Sequence, residues 1–250
     1  MGEIENAIVV GATGAMGQVI VRRLAARGLR VLAVARTAAA VESLAAELPM
    51  VVPCIADIAD DSAIAAIRAA ITGPVRAVVH GPGVATAGGV LTAATAAVVD
   101  AVNIKVGGML RLVRAADAAL VRGARLIAIG GHYGFEPSAY AATAGVANAA
   151  LANLVRQLSW AYGERGVTAH LVAPGPADTE RLRRVAQERA ARAGASLATV
   201  LDEMRRESAI GAFTSVEQIA WGVAMLLDPE ADALAGSTLF MDAGRRRGIP

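Results

Sequence analysis

A chain of 250 residues, 55% hydrophobic but only 3% aromatic, has material for one large core filled by small aliphatic side chains. Its formal charge of +2 is too small to point to nucleic acid, and no uninterrupted apolar run is long enough to span a membrane. One cysteine, Cys54, excludes an internal disulfide; with no signal peptide before the first strand, the expected setting is soluble and cytoplasmic, and no metal is expected.

The first element is an apolar run, Ile8-Val9-Val10, that ends in Gly11, Gly14 and Gly17, three residues apart. A strand, a Gly-rich turn and then a helix form the cradle of a dinucleotide. One glycine allows the turn, one lets the pyrophosphate approach the backbone, and one lets helix and strand pack closely. Thr13 and Met16 on the same turn are expected to line the cofactor. A helix over 17–27 stops at Gly28, and a second strand runs over 29–36. An acidic residue about 20 positions beyond the glycine turn would bond the adenosine ribose; here Ala35-Arg36 stands instead. A guanidinium suits a 2′-phosphate, so NADP(H) is preferred over NAD(H).

A helix over 38–48 leads to a third strand over 50–55, which holds Cys54 as a buried thiol. A helix over 62–71 follows, with Asp60 or Asp61 as its N-cap. The fourth strand, 76–80, ends in His80-Gly81-Pro82-Gly83, and a long helical stretch surrounds Asn103. The fifth strand, 124–129, is followed by the loop Gly130-Gly131-His132-Tyr133-Gly134, and a long helix covers 141–162. The sixth strand, 167–172, precedes Pro174-Gly175-Pro176 and an Arg-rich helical insertion at about 179–208. A helix over 216–227 and a strand over 237–241 close the chain. The alternation predicts an α/β fold: a Rossmann-like, doubly wound parallel sheet in a single domain over 1–250.

In this order, the motifs resemble those of the short-chain dehydrogenase/reductase family. Gly11, Gly14 and Gly17 match its cofactor turn, and Asp57-Ile58 matches its adenine-contacting pair. Gly81 lies in the segment that is usually Asn-Asn-Ala-Gly, and Asn103 occupies the place of the catalytic Asn. Pro174, Gly175 and Thr179 match the segment that holds the nicotinamide amide, and Ala235 to Gly244 resembles the last strand. The resemblance implies an NAD(P)-dependent oxidoreductase on a carbonyl or alcohol. It also implies a homodimer or homotetramer built on the helices around Asn103 and Ala149.

The family's chemistry uses a Tyr as acid or base, a Lys four positions later and a Ser on the loop before it. Here Tyr140 is kept, Ala144 replaces the Lys and Gly131 replaces the Ser. The chain's only lysine, Lys105, lies two residues from Asn103, on the opposite side of a helix; if Asn103 faces the site, Lys105 does not. An unassisted phenol titrates near 10, and each lost interaction raises the barrier by on the order of 2–4 kcal/mol. The expected catalytic set is Tyr140 and Asn103, with His132 as a substitute for the Ser. Tyr133 is a neighbour of the same potential, whereas His80 and His170 read as structural.

Arg181, Arg183, Arg184, Arg189, Arg192, Arg205 and Arg206 alternate with Glu180, Glu188, Glu203 and Glu207 where the family has its mobile substrate lid. Mixed charge of this kind reads as a solvated face or as a mouth attracting an anionic, carrier-bound or CoA-bound small molecule. Without interleaved aromatics it does not read as a nucleic-acid site. Two other functions stay open: a cofactor-sensing or partner-binding protein without turnover, and a non-redox isomerase, dehydratase or cyclase in the same pocket.

Overall fold

The computed structural model describes residues 3–85 and 88–248. Seven strands form one parallel sheet: β1 (Asn6–Val10), β2 (Arg30–Ala35), β3 (Val51–Ile55), β4 (Val75–His80), β5 (Leu120–Ile129), β6 (Thr168–Pro174) and β7 (Thr238–Met241). Their order is β3-β2-β1-β4-β5-β6-β7. Winding reverses between β1 and β4, which creates a crevice outside the carboxyl ends of those two strands.

Both faces of the sheet are covered, because successive strand residues point opposite ways and both sets are apolar. Ile8 and Val10 join a buried cluster with α3 (Ser62–Ala70), α5 (Gly108–Ala116) and α6 (Ala142–Tyr162). Ala7 and Val9 face the other way, toward α1 (Ala15–Ala26), α2 (Ala38–Glu47) and α9 (Val216–Met225). Burial raises the Cys54 thiol pKa, as befits an inert core residue.

Three departures from the sequence reading have physical reasons. β5 begins at Leu120, before the expected 124, because a register shift against β4 carries the pairing past Gly123, whose φ is 80°. Neither aspartate caps α3 in the usual way: Asp60 accepts from the Ser62 N–H at 2.8 Å, while Asp61 pairs with Arg111 at 2.6 Å. The Arg-rich insertion is a hairpin of two helices, α7 (Glu180–Ala193) and α8 (Leu197–Arg206), parted by Gly194 at φ 62° and restarted by the Ser196 cap. Leu182, Ala186, Val200 and Met204 give this hairpin a small core of its own, and its arginines lie on the outer faces; the side chain of Arg192 is outside the described set. No described helix is long and apolar enough to cross a membrane.

The helix α4 (Thr95–Val102) does not run straight into α5. A π-turn, Asn103–Gly107, joins them and carries one surplus residue through the helical backbone. That turn sets which side chains reach the sheet edge.

Candidate active site and nucleotide cradle

The glycine turn has the geometry expected of a cradle. Gly11 adopts φ 82°, and a Cβ there would lie 3.0 Å from the carbonyl of Gly81, so the turns after β1 and β4 meet at the crevice. A Cβ on Gly17 would lie 2.0 Å from the Gly11 carbonyl oxygen, which leaves no room for any side chain where α1 crosses β1. Gly14 sits exposed at the N-cap of α1 with no side chain bonding the first-turn N–H groups, and that turn carries no acidic residue. These open donors, at the positive end of a helix, fit a pyrophosphate. Thr13 and Met16 flank the turn, half-buried.

Arg36 emerges exposed from the end of β2, and no hydrogen bond or ion pair engages it among the described residues. Such a guanidinium is free to meet an anionic group. Asp57 turns its carboxylate to the Ala59 N–H at 3.0 Å, and Ile58 beside it is buried. On the far side of the crevice Gly175 lies so close to Asp242 that a Cβ would sit 2.9 Å from its Cα; Pro174 is buried. The Thr179 hydroxyl caps α7, accepting from the Leu182 N–H and donating to the Ala177 carbonyl. The donor set and its shape fit a dinucleotide.

Tyr140 does not stand alone as a phenol, contrary to the sequence expectation. Its hydroxyl lies 2.5 Å from that of Tyr133, and Arg189 of α7 stacks 5.0 Å from its ring centre. Partial burial works to raise the Tyr140 pKa, but the hydrogen bond from Tyr133, the charge and hydrogen bond of Arg189 and a bond from Ser138 together bring it below the ordinary phenol value. The Tyr133 phenol is pushed the other way, to about 12, by burial and by its bond to Tyr140. The pair thus favours loss of the Tyr140 proton over that of Tyr133. Sequence reading named Tyr133 as a neighbour but carried no signal that Arg189 would arrive from the insertion.

His132 is buried, and its ring stacks on Tyr133 with centroids 4.0 Å apart. Burial and the Arg245 charge bring its pKa down to about 4, with a bond to the Pro174 carbonyl working against them. It is a neutral imidazole held behind Tyr133, not beside the Tyr140 phenol. Gly131 has an extended backbone, yet a Cβ there would meet the Asn148 side-chain amide at 3.0 Å. Asn148 is buried and its side-chain oxygen lacks a partner among the described residues. Thus an amide crowds the place where the family resemblance implies a Ser.

Asn103 and Lys105 leave the π-turn on different sides. Asn103 faces the turn after β3: its amide donates to the Ala59 carbonyl at 2.9 Å and accepts from Arg111 at 2.9 Å. The opposite side, which faces the sheet edge, belongs to Lys105. Its ammonium donates to the Ile129 carbonyl at 2.8 Å and is only 5% exposed. Burial, then the charge of Arg181, brings its pKa down to about 8. His80 is fully buried beside it and bonded to the Ile104 carbonyl; burial and the Lys105 charge hold its pKa at about 3. Ala144, where the family's Lys would be, packs against Val84, Ala101 and Ala147. His170 is tied between Thr168 and the Leu234 carbonyl, as a structural residue.

Comparison with known proteins decides the family. The enoyl-(acyl carrier protein) reductase family model matches residues 11–246. The chain belongs to the short-chain dehydrogenase/reductase family. The short-chain reductase protein NovJ of Streptomyces niveus is 29% identical over 96% of this chain and 93% of its own. Among solved structures, a short-chain dehydrogenase/reductase from Serratia marcescens is 28% identical, with a TM-score of 0.85 over 96% of this chain and 97% of its own. A blue fluorescent protein from a metagenomic library, solved with NADPH, is 27% identical, with a TM-score of 0.83 over 97% of this chain and 98% of its own. As a family member the chain carries the cradle of an NAD(P)-dependent oxidoreductase.

Proposed function

We propose that this chain is an NADP(H)-dependent oxidoreductase that interconverts a carbonyl and an alcohol, with Tyr140 as its proton-transfer group. The observation that carries this reading is the Tyr133–Tyr140 phenol pair beneath Arg189. It lowers the Tyr140 pKa without a lysine at 144. NADPH, when bound, would supply the hydride. Tyr140 delivers the proton to the substrate oxygen, and Tyr133 holds the phenolate oxygen through its hydrogen bond. Arg189 offsets the charge left on Tyr140. His132 acts by stacking on Tyr133, and Asn103 acts by fixing the π-turn; both are positioning residues.

Gly11, Gly14, Gly17, Thr13 and Met16 would cradle the pyrophosphate, Asp57 and Ile58 the adenine, and Gly81, Pro174, Gly175 and Thr179 the nicotinamide end. Arg36, exposed and unpaired among the described residues, and the NADPH complex of a 27% identical relative support NADP(H) over NAD(H). The helical hairpin of α7 and α8 reads as the lid, because its Arg189 and Arg181 reach the site from above. Its cationic side chains suit an anionic or carrier-bound small molecule, in a cytoplasmic homodimer or homotetramer.

The test is NADPH oxidation against a panel of ketones and 3-oxoacyl thioesters, with Tyr140→Phe alongside. Turnover that falls in the variant while NADPH binding persists supports the reading; turnover unaffected by the variant overturns it. A second reading is favoured by Ala144 and Gly131, whose surroundings are filled by apolar packing and by Asn148. It is a cofactor sensor that binds NADPH without turnover. Binding with no oxidation of any panel member would select it.

A further inference from the structure

Lys105 is the chain's only lysine, and it stands in a strongly arginine-biased composition. It is buried at the carboxyl edge of the sheet, where its ammonium donates to the carbonyl of Ile129, the last residue of β5. An ammonium has three N–H donors, and this one has a single acceptor among the described residues. Among the described residues, the charged and titratable groups acting on it are Arg181 from α7 and His80 from β4, neither of them an anion. A buried cation without a counter-ion is costly, and a methionine or leucine of similar volume would pack there more cheaply. A purely structural role therefore does not account for the choice of residue.

The position of Lys105 points to what the spare donors meet. A Cβ on Gly81 would lie 3.5 Å from the Ile129 side chain and 3.4 Å from the Val10 carbonyl, and Gly81 abuts Gly11. The ends of β1, β4 and β5 thus form one continuous edge. A dinucleotide seated on the glycine turn and running toward Tyr140 would cross that edge, where the Ile129 carbonyl holds Lys105. Its nicotinamide ribose offers two adjacent hydroxyls, which match the two N–H groups left over. The π-turn that aims Lys105 at this edge is a backbone irregularity of the kind that collects at functional sites.

We infer that Lys105 binds the nicotinamide ribose hydroxyls of the cofactor, supplying from the turn between α4 and α5 the ammonium absent at residue 144. This rests on the reading of the chain as an NADP(H) protein. With its pKa near 8, the group is charged at neutral pH, and a bound polyanion would favour that charge further.

Because the chain has one lysine, protein labelled with 13Cε-lysine gives one lysine signal. NADPH should move this signal to a new position, whereas adenosine 2′,5′-bisphosphate, which lacks the nicotinamide nucleotide, should leave it in place. Lys105→Met should raise the NADPH Kd at least tenfold and leave the bisphosphate Kd unchanged, with Lys105→Arg in between. If NADPH saturates the protein by fluorescence while the lysine signal stays still, the inference is overturned and the oxidoreductase reading stands. Equal shifts with both ligands also overturn it, since the effect then comes from the adenosine half. If the wild-type chain binds no NADPH, both fail together. Should Lys105→Met not fold, the wild-type signal alone decides.

Discussion

The phenols of Tyr133 and Tyr140 lie 2.5 Å apart with their rings edge-on at 83°, so each residue sets the proton affinity of the other. Tyr140→Phe removes the transferable proton and should lower kcat by roughly a hundred- to ten-thousand-fold. Tyr133→Phe keeps the ring and removes the hydrogen bond. As the acid of a reduction, Tyr140 must be protonated, so the alkaline limb of the pH–rate profile should move up as its pKa rises, with kcat down about tenfold. Arg189→Met should move the same limb in the same direction. A limb unmoved in both variants would show that the pair does not tune the acid.

The proposed function makes Arg36 the residue that selects the cofactor. Arg36→Asp should raise the NADPH Kd roughly ten- to hundredfold, as expected for loss of a charge-assisted bond, and should leave NADH binding unchanged or tighter. Titration of both nucleotides by fluorescence reads this ratio directly. Equal weakening of both would deny Arg36 a part in selection.

Gly17→Ala tests the crossing of α1 over β1. Its Cβ would lie 2.0 Å from the Gly11 carbonyl oxygen, so helix and strand must part. A loss of about 2 kcal/mol or more is expected, or a fall in Tm of about 4–8 °C, together with weaker nucleotide binding. Gly163, with nothing within 4 Å of its added Cβ and an ordinary helical φ, is the control. Gly163→Ala should change stability by less than about 0.5 kcal/mol.

All three histidines are buried and neutral in the fold, at about 3 for His80 and about 4 for His132 and His170. Desolvation is the leading cause in each. Between pH 6.5 and 4 the unfolded chain therefore binds more protons than the native one, and stability falls as pH falls through that window. Each histidine contributes on the order of 2 kcal/mol to the loss by pH 4.5. Urea unfolding across this range should show a steep acid decline, and His170→Asn, away from the crevice, should flatten it.

The sheet and the cradle were legible because their signals are local. Apolar runs bounded by turns mark the strands, and Gly11, Gly14 and Gly17 fix a backbone whatever lies around them. The placement of Asn103 and Lys105 was only half legible. Helical geometry says that residues two apart face opposite ways, but not which of them faces the sheet. The π-turn decided that, and no composition marks it. The Tyr133–Tyr140 contact and the approach of Arg189 join two separate segments, so the full arrangement exists only once the loop after β5 and the α7–α8 hairpin are folded together. His132 read as a candidate because its ring chemistry was visible in the sequence while its burial behind Tyr133 was not.

The surplus residue between α4 and α5 has a consequence for how the protein could change. A regular helix turns about 100° per residue, so deleting one position from Asn103–Gly107 would restore regular winding while rotating everything upstream by about that angle relative to α5. The amine that now points inward at Ile129 would swing to another bearing. A single-codon loss, which leaves the core composition intact, would therefore rewire the floor of the crevice.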